Sequence, residues 1–167
     1  MGIRNSAKAI VLNRSGDKVL LNKSKNSLGD MWETYPDGMI YYDLPGGGQN
    51  QYETLEEAVK RECLEETGYT LRVDKLAAIY EEITTNEKFR EHYEEYAHKI
   101  FFVFICRIAD EIIQPVTETD LDMIASEWID IDNIKSIELY PEIIKLNIDL
   151  VLNTQNPLYL GSKKMRL

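Results

Sequence analysis

Residues 46–68 read GGGQNQYETLEEAVKRECLEETG. The three leading glycines mark a place where the backbone bends sharply or approaches something closely. Thr54-Leu55-Glu56-Glu57 fits a capping box, with Thr54 as N-cap and Glu57 at the third helical position. Gly68 is a natural C-terminal stop, so the spacing predicts a helix of about four turns between them. At about 100° per residue, with Glu62 at zero, Leu55 falls near about +20°, Ala58 near −40° and Val59 near +60°. Glu65 falls near about −60° and Glu66 near +40°, so all six share an arc of about 120°. The stripe is apolar in its first half and carries three carboxylates in its second.

That arrangement is costly. Each carboxylate on an inward face loses hydration, and each raises the others' pKa by like-charge repulsion. A rolled helix that leaves the glutamates as a solvated patch is one way out. A multivalent cation is another, because hard oxygen ligands at i, i+3 and i+4 can converge on Mg²⁺ or Mn²⁺.

Outward from this helix, SAKAIVLN, RSGD and KVLLNKS read as a β-hairpin turning at Ser15-Gly16-Asp17. Residues 25–38 are turn-rich, and MIYYDLP is a short strand stopped by Pro45 and the glycines. Beyond the helix come a strand near 70–83, a charged loop TTNEKFREHYEEY and the near-continuous apolar strand HKIFFVFICRI at 98–108. ASEWIDI is a further strand, and PEIIKLNIDLVL reads as a closing helix with Pro141 at its first position. The order predicts one α+β domain over 1–167, a mixed β-sheet sandwiched between helices.

The chain has 167 residues and a formal net charge of −10, from 29 acidic and 19 basic side chains. No basic footprint for nucleic acid is visible in that balance, and an acidic chain acting on an anionic substrate needs help from metal ions. No apolar run approaches a membrane span, and the N-terminus lacks a signal-peptide pattern, so no membrane partner and a cytoplasmic location are expected. MGIRNS fits the minimal myristoylation pattern, but no polybasic patch follows to supply a second anchor. Cys63 and Cys106 lie in apolar patterns without paired spacing and read as small buried hydrophobes.

Gly47, five residues, Glu53, seven residues, then Arg61-Glu62-Cys63-Leu64-Glu65-Glu66-Thr67-Gly68-Tyr69 resembles a complete Nudix box. Every charged and glycine position of that family pattern matches, with Cys63 and Tyr69 as mild departures at its apolar positions. The resemblance implies a Nudix hydrolase, which uses water and a divalent metal, Mg²⁺ or Mn²⁺, to cleave the diphosphate linkage of a nucleoside diphosphate joined to another moiety. Carried over by position, it implies Glu62, Glu65 and Glu66 as metal ligands with the Gly47 carbonyl, and Arg61 paired with Glu53. The box does not fix the general base: the resemblance allows a box glutamate or an acid on a later loop, with Glu118, Asp120 and Glu127 as candidates and Glu94 and Glu95 in the other acidic loop. Arg4, Lys8, Lys23, Arg90 and His98 are candidate partners for substrate phosphate. The expected partner is a small nucleoside diphosphate derivative, and a homodimer is left open. Around 83–87 the family marks for ADP-ribose and dinucleoside polyphosphates are absent, which leaves nucleotide sugars, ADP-ribose-like molecules and nucleoside triphosphates all open. A catalytically silent Nudix-fold module for nucleotide binding or regulation is the alternative, expected to carry a broken box, which this one is not.

Overall fold

The computed structural model describes residues 2–32, 35–120 and 122–165. The hairpin forms as expected, from β1 (Arg4–Leu12) and β2 (Lys18–Lys25), with Val11 opposite Leu20. β3 (Ile40–Asp43) pairs with β2, and the glycine run forms a short strand, β4 (Gly46–Gly48), against β1. After α1 (Leu55–Thr67) come β5 (Leu71–Thr84), β6 (His98–Ile108) and β7 (Met123–Asp130). β6 runs parallel to β1 and antiparallel to β5, so the apolar run lies in the middle of the sheet. The described strands join into one mixed sheet, closed at its edges by β8 (Leu139–Tyr140) and β9 (Leu158–Met165).

Alternation along β1 and β6 gives the sheet two apolar faces. Ala7, Ala9, Val11, Phe104 and Cys106 pack on Ala58, Val59 and Cys63 of α1. Ile10, Leu12, Phe101, Val103 and Ile105 pack on the other face against Ile144, Ile148 and Val151. The sheet therefore lies between helices, as the sequence predicts. Both cysteines are free and buried, and burial pushes the Cys63 thiol up to about 12 and raises that of Cys106.

Three local readings need correction. The predicted loop TTNEKFREHYEEY contains α2 (Glu87–His92), capped by the Asn86 side chain on the Phe89 amide, and a 3₁₀ turn at Glu94–Tyr96. The closing helix is two pieces, α3 (Glu142–Leu146) and α4 (Ile148–Asn153). Asn147, at φ −115°, leaves helical geometry and turns its side chain back onto the Ile143 carbonyl at 2.8 Å, the local competition that makes Asn a poor helix interior residue. Pro141 is extended and sits at the N-cap, one position before the first helical residue.

Thr54 and Glu57 make the reciprocal capping box, and Gly68 ends α1 in the left-handed region at φ 75°. A Cβ on Gly68 would lie 2.1 Å from the Gln114 carbonyl oxygen, because residues 114–118 cross the end of α1 and donate amides to the Gly68 and Glu65 carbonyls. Gly68→Ala therefore combines backbone strain of about 1–2 kcal/mol with a backbone clash. Gly161→Ala has the same sign of φ but open space around it. Urea unfolding should show Gly68→Ala to be the more destabilised of the two; equal midpoints would contradict the crossing.

Candidate active site

Arg61 organises the outer half of the site. Its Nε and Nη2 donate to the two oxygens of Glu53 at 2.8 and 3.0 Å, and Nη2 also donates to the Gly48 carbonyl at 3.0 Å. Nη1 lies 2.9 Å from Glu62 Oε1 and 3.0 Å from Glu65 Oε2. The fork ties the glycine strand, the following turn and the helix into one unit. Hydrogen bonding to Arg61 lowers the Glu53 pKa. Gly47 is packed against Glu62, and a Cβ there would lie 2.5 Å from the Glu62 carboxyl carbon.

Glu66 forms the inner half. It is 4% exposed, and its Oε2 accepts from Asn22 Nδ2 at 2.8 Å and from the Gly46 amide at 2.9 Å. Asn22 is positioned in turn by Ser126 Oγ, 3.0 Å from its Oδ1, across the β2–β7 pairing. Burial pushes the Glu66 carboxyl up to about 8, with Lys8 opposing and Asp43 and Asp120 reinforcing the shift. Asp43 is pushed up to about 6, again first by burial, and its Oδ1 is buried without a hydrogen bond. Lys8 lies 3.7 Å from Asp43 and donates to the Gly46 carbonyl. Burial alone would lower the Lys8 pKa, but Asp43, Glu66, Asp120 and Glu62 together raise it. One buried ammonium thus faces four carboxylates.

The helix is rolled relative to the predicted face. Its buried side centres on Val59, Cys63 and Glu66, which leaves Glu62 and Glu65 half-buried on the flank against Arg61. Among the described residues, no three His, Cys, Asp or Glu side chains converge closely enough to hold a metal ion. In donor chemistry and charge the site nonetheless fits a hard cation. Its groups are carboxylates and main-chain carbonyls, they outnumber the cations, and the buried Asp43 Oδ1 accepts no hydrogen bond from the described residues.

The other predicted residues divide clearly. Asp120 is exposed, yet its charge acts on Lys8, Asp43 and Glu66, because the crossing at the end of α1 returns its segment to the box. Glu118 is exposed, and its amide donates to the Glu65 carbonyl at 3.2 Å. Glu127 is tied to Lys23 at 2.9 Å and to the Tyr42 hydroxyl at 3.0 Å, which lowers its pKa and makes it a weak base. Arg4 packs its guanidinium against Gly48 and over the Tyr96 ring at 4.5 Å. Two candidates are not brought to the box: His98 pairs with Glu81 at 2.8 Å, and Arg90 donates to the Thr84 carbonyl at 2.7 Å. Asn22, Ser126 and Asp43 escaped the sequence reading. Only Asp43, an acid ending an apolar strand before the glycines, left a trace there.

The family model described as NUDIX domain matches residues 2–148. The chain belongs to the Nudix family. A curated Caenorhabditis elegans relative described as a nudix hydrolase is 29% identical over 133 residues, covering 78% of this chain and 30% of that protein. The chain thus spans about a third of the length of the curated relative it matches. A NUDIX hydrolase structure from Nitrosomonas europaea superposes with a TM-score of 0.65 at 21% identity, covering 94% of each chain. An ADP-ribose pyrophosphatase from Streptococcus suis gives 0.58 at 17% identity, covering 97% of this chain and all of that one. Family membership bears out the Nudix resemblance read from the sequence, and that family is generally dependent on divalent metal. No helix among the described residues is long and apolar enough to cross a membrane.

The raised Glu66 pKa has a definite sign in stability. The folded state keeps this proton up to about pH 8, whereas the unfolded chain releases it near the ordinary 4.5. Between those values the unfolded state binds fewer protons, so rising pH destabilises the metal-free fold, by an amount on the order of a few kcal/mol. In chelator, the stability of Glu66→Gln relative to wild type should grow from about pH 5 to pH 9 by urea unfolding. A gap that stays constant or shrinks would contradict the assignment.

Proposed function

We propose that residues 1–167 form one Nudix domain that hydrolyses the diphosphate linkage of a nucleoside diphosphate joined to another moiety, dependent on Mg²⁺ or Mn²⁺. The observation that carries this reading is the surplus of carboxylates around Glu66 beneath the glycine strand, which a divalent cation would neutralise. Glu62, Glu65, Glu66 and the Gly47 carbonyl would hold the cation. When bound, it would neutralise charge developing on the phosphates and lower the pKa of a water.

The chain's own residues supply the rest. Arg61, clamped by Glu53, keeps Glu62 and Glu65 at the mouth while Asn22 and the Gly46 amide keep Glu66 at the floor. Lys8 puts a fixed positive charge under the glycine strand, where the polyanion would lie. Asp120 is the favoured general base, since its charge reaches the site and its exposure leaves it free to take a proton from water. The Streptococcus suis ADP-ribose pyrophosphatase is consistent with phosphoanhydride chemistry on this fold. The silent-module alternative gains nothing from the structure, because the box residues are assembled.

Chromatographic separation of products from a panel of nucleotide sugars, ADP-ribose and nucleoside triphosphates tests the reading. With Mg²⁺ or Mn²⁺ at least one compound should be cleaved, and Glu66→Gln should lower kcat by about a hundredfold or more. Asp120→Asn should lower kcat by about 10²-fold, while Glu118→Gln should remain near wild type. A fully active Glu66→Gln enzyme in saturating metal would overturn the assignment of roles.

A further inference from the structure

The inner carboxylate, Glu66, is gripped from β2 by Asn22. Asn22 lies on the face of β2 that carries Leu20, toward α1, and is 2% exposed. Its strand is paired on both sides there, with Asp43 of β3 as register partner on one edge and Ser126 of β7 on the other. The backbone at Asn22 is therefore held from two directions, and only the amide can turn. Its Nδ2 donates to Glu66 Oε2 at 2.8 Å, while its Oδ1 accepts from Ser126 Oγ at 3.0 Å. The opposite orientation would set Oδ1 against Oε2, acceptor to acceptor. The Ser126 hydroxyl holds the amide the productive way round.

The two oxygens of Glu66 are thus unequal. Oε2 also accepts from the Gly46 amide at 2.9 Å, so both of its lone-pair directions are taken. No described residue donates a hydrogen bond to Oε1. Gly46 donates from the main chain of β4, which its pairing with β1 sets opposite Lys8. Neither donor can swing with the carboxylate, and the inequality is built into the sheet.

We propose that the Ser126–Asn22 pair makes Glu66 a one-oxygen ligand, offering Oε1 alone, and so fits the site to Mg²⁺ and against Ca²⁺. Asn22 and Ser126 are positioning residues in this account, since both act through Glu66. The inference rests on the cation reading of the box and adds to it the basis of its selectivity. Mg²⁺ demands nearly octahedral geometry with short bonds to oxygen, which one oxygen per carboxylate satisfies. Ca²⁺ takes about six to eight oxygens at longer distances and readily uses carboxylates that clasp it with both. A carboxylate whose second oxygen is already engaged by two N–H donors cannot supply that clasp. Partners that orient a metal ligand in this way commonly change metal affinity by roughly 10- to 100-fold.

Calorimetric titration of the full chain, free of substrate, with Mg²⁺ and with Ca²⁺ gives the ratio of the two dissociation constants. Wild type should bind Mg²⁺ the more tightly. Asn22→Leu, which keeps the volume and removes the donor, should shift the ratio toward Ca²⁺ by about tenfold or more. Ser126→Ala should shift it the same way by a smaller factor, and Ser126→Thr, which keeps the hydroxyl, should hold the wild-type ratio. Melting in EDTA identifies a variant that does not fold; if Asn22→Leu is one, Ser126→Ala against Ser126→Thr decides. A merely structural role would weaken both cations alike and leave the ratio unmoved. That result, or a wild type that prefers Ca²⁺ or binds neither ion, would overturn the proposal. A shifted ratio with no diphosphate cleaved in Mg²⁺ leaves the coordination argument standing and removes the proposed reaction; cleavage with an unmoved ratio does the reverse.

Discussion

The burial of one carboxylate against a glycine strand is the constraint on which the rest of this structure turns. Glu66 can lie at the floor of the site only because the Gly46 amide and Asn22 both donate to it, and because Lys8 lies close enough to compensate charge. Even so its pKa is pushed up to about 8. The neighbouring parts follow from that position. Close packing of β4 against β1 and α1 excludes a side chain at residue 47, and the Asn22–Ser126 hydrogen bond fixes the register in which β7 meets β2.

Arg61 sets the complementary limit. A guanidinium that contacts Glu53, Glu62, Glu65 and the Gly48 carbonyl distributes its donors over four partners. It neutralises the outer carboxylates enough for the helix to pack, while leaving the inner ones, Glu66 and Asp43, without enough positive charge. The imbalance is therefore local, between a satisfied mouth and an unsatisfied floor. Local imbalance of this kind is what a functional site requires and a purely structural network would remove.

Much of the helix and the box was legible in the sequence because the signals are local. The capping box at Thr54, the stop at Gly68 and the Gly47–Glu53–Arg61 spacing each act within a few turns of chain. The apolar run of β6 was legible because a strand buried on both faces needs no alternation. What was missed depends on distance in sequence or on short elements. Asn22 and Ser126 meet Glu66 only through sheet pairing and packing, and α2, six residues long, is too short to show a period. β9, with its run of glycine, serine and lysines, is a polar edge strand whose sequence looks like a tail. The helix face was misjudged by a modest roll, since Arg61 pulls Glu62 and Glu65 outward.

The central claim is that the crowded glutamate face is a receptor for a divalent cation, and thermal melting addresses it most directly. Wild type and the Glu62→Gln, Glu65→Gln, Glu66→Gln triple variant are compared in EDTA and in Mg²⁺ at about a hundredfold excess over Kd. Binding to the native state alone stabilises wild type by about 2.7 kcal/mol at that excess. For a chain of this length that is a rise in Tm of roughly 5–10 °C, with the triple variant unmoved and at least as stable as wild type in EDTA. An equal rise in both proteins would place the cation elsewhere and reduce the face to a solvated patch.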